Sequence, residues 1–245
     1  MSPNVAAPLV QRRDADYSGP ETEVGLLSVD KASELSPEAQ NNISWNLAQW
    51  GDRDRWIHEH EYGLRWGGGL QQSPSWMADI ASRFLLPHLA DRSVRAVLEI
   101  APGAGRFTTE LIRVAEELWL VDLSPACIQL CKERFKYYKN IQYSVNDGVS
   151  LGMVPDRAFD LVASFDSLVH VEPEIILAYL AQFRDKLAPG GIVWLDHSGR
   201  GVKKIGNRSS MTYDRMHRFA SDLGFEMLAQ HWRNTHDCIS VLRNP

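Results

Sequence analysis

Leu98-Glu99-Ile100-Ala101-Pro102-Gly103-Ala104-Gly105-Arg106-Phe107-Thr108 is an apolar run that ends in a glycine turn and feeds an amphipathic segment. The pattern predicts a buried strand over Arg95–Ile100 and a helix over Phe107–Glu117. Working outward, Trp119–Asp122 reads as a second strand, Ser124 as the cap of a helix reaching about Phe135, and Ile141–Val145 as a third strand. Phe159–Phe165 is the fourth. Pro173 suits a first helical turn, the helix runs through Leu187, and Ala188-Pro189-Gly190-Gly191 stops it before a strand over Ile192–Asp196. A further helix covers Thr212–Leu223. Phe225–Trp232 and Asp237–Leu242 lie too close in sequence for a parallel crossover, so they predict an antiparallel hairpin. The sum is an α/β fold: a mostly parallel seven-stranded sheet with helices on both faces and an antiparallel C-terminal hairpin.

Ahead of this core the chain changes character twice. Residues 1–40 carry prolines at 3, 8, 20 and 37 without sustained periodicity, which predicts a flexible arm. Residues 41–93 hold five of the eight tryptophans (Trp45, Trp50, Trp56, Trp66, Trp76), which predicts a helical cap; 94–245 form the core. A formal charge of −5 argues against a broad positive field for a phosphate backbone, so no nucleic-acid partner is expected. Three cysteines are too few for a disulfide framework, and no apolar run approaches the ~18 to 20 residues of a membrane span. The start lacks the order of a secretory signal. These features predict a cytoplasmic protein without a membrane partner.

The glycine turn is a ligand-binding signal. Gly103 and Gly105 allow close approach of a ligand to the backbone, and the helix start offers free N–H donors. Asp122 ends the next strand, where a carboxylate can accept both ribose hydroxyls of an adenosine. Thr108 stands where the dinucleotide fingerprint has its third glycine, which disfavours NAD or FAD.

With Asn146-Asp147-Gly148 after the third strand, the Leu-Ala-Pro-Gly-Gly stop and the terminal hairpin, the stretch from Val94 to Pro245 resembles the class I S-adenosylmethionine-dependent methyltransferases and their Rossmann-like methyltransferase fold. The resemblance implies S-adenosyl-L-methionine as cofactor. It implies Glu99 beside the methionine ammonium group, Asp122 on the ribose and Asp147 on the adenine amine. On the same resemblance, Ala101, Gly103, Gly105, Leu123, Asn146, Gly148 and Phe165 are expected to complete the cofactor site. Ala101-Pro102 stands where the family usually has a glycine and a small residue. A narrower set, Ser164 to His170, Asp196-His197-Ser198, Arg208 to Met211 and Asp237 to Ser240, is similar to methyltransferases of bacterial polysaccharide and glycolipid clusters. That likeness implies a sugar hydroxyl as acceptor, mannosides among the candidates. Many members read His-His-Ser-Asn where this chain has Asp196-His197-Ser198-Gly199.

Asp166, His170 and His197 follow the carboxyl ends of strands four and five, beside the crevice where such sheets bind ligands. They are the catalytic candidates, with a histidine as base. The same three offer one carboxylate and two imidazoles to a divalent cation such as Mg²⁺, resembling the arrangement in small-RNA 2′-O-methyltransferases. The expected activity is O-methylation of a small-molecule hydroxyl, a sugar or oligosaccharide precursor foremost. The alternatives are N- or C-methylation of a natural product and a non-catalytic S-adenosylmethionine-binding subunit; a homodimer is left open.

Overall fold

A computed structural model describes residues 31–59, 61–62, 74–202 and 207–245. Residues 1–30 of the expected arm, Trp66 and Gly67-Gly68-Gly69 lie outside the described residues. One seven-stranded sheet runs in the order β3-β2-β1-β4-β5-β7-β6. Its strands are β1 (Ala96–Ile100), β2 (Glu117–Asp122), β3 (Ile141–Val145), β4 (Phe159–Ser164), β5 (Leu187–Ser198), β6 (Glu226–Trp232) and β7 (Asp237–Arg243). The first five pair in parallel; β7 is antiparallel to both β5 and β6. The strand order reverses around β1, and that is where a crevice opens at the carboxyl ends of the strands.

Helices cover both faces. On one side α1 (Pro37–Trp50), α5 (Pro173–Lys186) and α6 (Tyr213–Asp222) pack on Leu98, Ile100, Val193 and Leu195. On the other, α2 (Pro74–Ile80), α3 (Thr108–Leu111) and α4 (Pro125–Arg134) pack on Val97, Leu120, Leu161 and Trp194. Successive strand residues point to opposite layers, so a shift of one position changes the layer a side chain enters. Among the described residues no helix is long and apolar enough to cross a membrane.

Local boundaries depart from expectation in three places. The helix expected over Phe107–Glu117 is only Thr108–Leu111, because Arg113 and Val114 tighten into i→i−3 hydrogen bonds and Glu117 N–H pairs with Arg95 O at 2.7 Å to start β2. The Ala188-Pro189-Gly190-Gly191 stop belongs to β5 itself, since Gly190 N–H bonds to Asn244 O and Asn244 N–H to Gly191 O, both at 2.8 Å. The third departure concerns the arm. Ser36 caps α1 from inside it, and Leu35 and Ala39 are buried with the sheet core.

Candidate functional site

The strand ends line up along the crevice in sheet order, and a single cavity follows them from Gly148 past Asp122 and Gly103 to His170. At the end of β2, Asp122 is 7% exposed. Its carboxylate accepts from Gly103 N–H at 3.0 Å and Ser124 N–H at 2.8 Å. Burial raises its pKa to about 6 against the pull of those two amides. Each oxygen keeps further lone-pair capacity toward the cavity. Gly103 has φ +58, and a Cβ there would lie 2.8 Å from the Trp56 ring. The turn therefore demands glycine twice, for conformation and for space. Ala101 (φ +54) and Leu123 also line the cavity.

Four residues expected at the cofactor, Glu99, Gly105, Asn146 and Asp147, do not line the cavity. At Gly105 (φ +78) a Cβ would meet the Phe135 ring and Cys131 Sγ. Glu99 points into the layer of Val97, where Thr108 Oγ1 donates to it at 2.6 Å, and burial lifts its pKa to about 8.

At the end of β3 the turn orders itself. Asn146 Oδ1 accepts from Gly148 N–H at 3.1 Å, while its Nδ2 donates to Ser150 O and to the Tyr179 hydroxyl. Asp147 does not line the cavity. Burial opposes its ionisation, but the N–H groups of Ala32, Ser150 and Val149 and the Ser150 hydroxyl outweigh burial and hold its pKa below the usual carboxylate range. Gly148 lines the cavity at φ +96, beneath Ile43.

Just past the end of β4, Phe165 stacks on Phe107 at 4.9 Å and meets Trp76 at 5.6 Å. Asp166 adopts φ +56. Its Oδ2 takes Arg106 Nη2 at 2.8 Å and its Oδ1 takes Arg233 Nη2 at 2.9 Å. Burial works against its charge, yet Arg233 and Arg106 prevail and lower its pKa. Arg233, with a side chain 3% exposed, also binds Asp196 and Asp237, and Asp196 accepts the Asp166 N–H at 3.0 Å. Burial, with Asp166 and Asp237 nearby, pushes Asp196 up to about 7.

His170 closes a 3₁₀ turn, Leu168–His170, and lines the cavity. Its Nδ1 lies 2.9 Å from Asn207 O and its ring 5.2 Å from Trp50. His197 does not join it. Strand alternation sends Asp196 toward Arg233 and His197 into the opposite layer, fully buried. There Nδ1 donates to Ser198 O and Nε2 accepts from Ser240 Oγ, each at 2.7 Å, and burial lowers its pKa to about 4. The expected ligand set Asp166, His170 and His197 is therefore not assembled. Both oxygens of Asp166 hold arginines, and among the described residues no three His, Cys, Asp or Glu groups are placed to hold a metal.

The roof came from outside the motifs. Ile43, Asn46, Leu47 and Trp50 of α1 line the cavity, and Trp56 Nε1 donates to Trp50 O at 2.6 Å. Asn42 and Asn46 both donate to His170 O, and Asn42 accepts the Glu172 N–H, which ties α1 to the His170 turn. The asparagine pair on a helix otherwise facing a core was the available signal.

Residues 97–191 match a family model described as a methyltransferase domain. A tRNA U34 carboxymethyltransferase of Klebsiella pneumoniae is 30% identical over 131 residues, covering 52% of this chain and 38% of its own length. This chain thus spans well under two thirds of that relative. Among solved structures, the PH0226 protein of Pyrococcus horikoshii OT3 has a TM-score of 0.63 at 20% identity, covering 79% of this chain and 99% of that one. The N-methyltransferase NodS of Bradyrhizobium japonicum WM9 in complex with S-adenosyl-l-homocysteine has 0.60 at 17% identity, covering 84% and 99%. At such identities the structural likeness shows the fold. Strand order and glycine turn are those of the Rossmann-like methyltransferase fold, and the matched methyltransferase domain, residues 97–191, covers the part of the chain that carries the glycine turn and Asp122.

Proposed function

We propose that this chain moves a methyl group from S-adenosylmethionine to a hydroxyl of a small molecule, a sugar or oligosaccharide precursor. The observation that carries this reading is the 2.9 Å contact between His170 Nδ1 and Asn207 O. A carbonyl only accepts, so the contact with Asn207 O puts the ring proton on Nδ1 and leaves the Nε2 lone pair as the basic position. Burial lowers the pKa of the ring, which keeps it neutral near pH 7. A hydroxyl holds its proton until the new bond forms and so needs such a base.

The residues present fit the donor. Asp122, which lines the cavity at the end of β2, would take the ribose hydroxyls, and Gly103 would let the backbone come close to the ligand. When bound, the donor supplies a sulfonium methyl that is already electrophilic. The chain's work is then alignment and proton removal. His170 Nε2 accepts the acceptor proton, while Trp50 and the rest of the α1 roof keep bulk water from the reacting end. No step is assigned to a metal, because the candidate donors do not converge.

A second reading, group transfer to tRNA, draws on the Klebsiella relative, a tRNA U34 carboxymethyltransferase, and is opposed by the charge of −5. Methyl-labelled donor with a panel of saccharides, small amines and bulk tRNA separates the two. O-methyl label in a saccharide, lost in His170→Ala, is the expected result. Label in tRNA selects the second reading, and label on an amine overturns the hydroxyl acceptor. Asp122→Ala should weaken S-adenosylhomocysteine binding by about 1.5 to 3 kcal/mol in calorimetry.

A further inference from the structure

We infer that the purine of the donor is read by the Tyr179 hydroxyl, which donates to a ring nitrogen, and not by the Asp147 carboxylate. The inference rests on the donor proposed above. Sheet order divides the cavity. His170 marks the reacting end at β4 and Asp122 the ribose position at β2, so the base belongs beyond Asp122, at β3. The cavity wall there is apolar: Ile43, Val121, Ile175 and the Gly148 backbone, a slot suited to a flat ring.

Tyr179, on α5, is the polar exception in that slot, 5% exposed and lining the cavity. Its oxygen accepts from Asn146 Nδ2 at 2.9 Å. The orientation of Asn146 is settled independently, because Gly148 N–H requires its Oδ1 and Ser150 O requires its Nδ2. The phenol is thereby fixed as acceptor toward Asn146, and its own proton has no acceptor among the described residues. Burial pushes the phenol pKa well above its ordinary value, so the proton stays on. A buried donor left without an acceptor is costly, and a ligand that supplies one removes that cost.

Adenine presents acceptors at N1, N3 and N7 and a donor at its amino group; a hydroxyl proton can pair only with a ring nitrogen. Asp147, the residue the family resemblance implies for the amine, is already engaged by three backbone N–H groups and the Ser150 hydroxyl and does not line the cavity. Its work here is to hold the turn and the chain at Ala32.

The test is calorimetry of S-adenosylhomocysteine and its 1-deaza, 3-deaza and 7-deaza analogues with the full chain, Tyr179→Phe and Asp147→Asn. Tyr179→Phe should weaken S-adenosylhomocysteine roughly 3- to 10-fold. One deaza analogue should bind the unaltered chain more weakly by a similar factor, and Tyr179→Phe should lose nothing further on that analogue. Asp147→Asn should stay within about twofold. Full affinity in Tyr179→Phe, losses that multiply for every analogue, or a selective loss in Asp147→Asn would each overturn the assignment. Should Tyr179→Phe fail to fold, the analogue series on the unaltered chain decides alone, and equal affinity for all four ligands refutes it. No binding of S-adenosylhomocysteine to the unaltered chain refutes the donor itself, a separate failure.

Discussion

The imidazole of His170 and the backbone carbonyl of Asn207 share a hydrogen bond of 2.9 Å, and this bond fixes which ring nitrogen can take a proton. His170→Ala should lower kcat by about 10²- to 10⁴-fold while leaving S-adenosylhomocysteine affinity unchanged. On the proposed role the neutral ring would be the active form, and burial lowers its pKa, so kcat should climb with pH through a midpoint below 6.5 and then stay level. A rate profile whose acid limb lies above 6.5, or a fully active alanine variant, contradicts the assignment.

His197 is predicted to matter for acid stability and not for turnover. Its folded pKa of about 4 lies below the ordinary 6.5, so the unfolded chain takes up the proton first. Its contribution is complete above pH 6.5 and is lost as pH falls from there toward 4, by about 3 kcal/mol at most. His197→Gln should keep kcat within about threefold, and urea midpoints from pH 7 to 4 should decline less steeply than in the unaltered chain. Loss of turnover in a folded His197→Gln variant would return this residue to the active site.

Arg233 neutralises carboxylates that have no access to water, Asp196 and Asp237 both being 0% exposed. Arg233→Ala should cost about 3 to 5 kcal/mol in equilibrium denaturation, since it leaves buried charge uncompensated. Arg243→Ala, which breaks an exposed pair with Glu226, should change stability by about 1 kcal/mol or less. Equal effects of the two substitutions would show that the buried cluster is not held by Arg233.

Methyl transfer should survive excess EDTA. Asp166 is committed to Arg106 and Arg233, and His197 faces the other helical layer, so the three groups cannot share an ion without refolding of the strand ends. Collapse of turnover under EDTA with recovery on adding Mg²⁺ would reveal a different ligand set.

Local pattern alone was enough for the strand expected over Arg95–Ile100 and found at Ala96–Ile100, the glycine turn, Asp122 at the next strand end, the Ser124 cap and the antiparallel terminal pair. Each of these rests on short-range rules: strand periodicity, a helix cap, a positive φ, a link too short to cross over. Tertiary structure decided what those rules leave open. Whether Asp196 or His197 meets the crevice depends on which layer an alternating strand presents, and pairing with β7 sets that register. The Asp147 carboxylate was captured by the amide of Ala32, 115 positions away, and Asp166 by Arg233, 67 positions away. Tyr179 reads as one more core aromatic until Asn146 approaches its oxygen from another element. A side chain's role follows from which groups reach it first, and when those groups lie far along the chain only the folded structure brings them together.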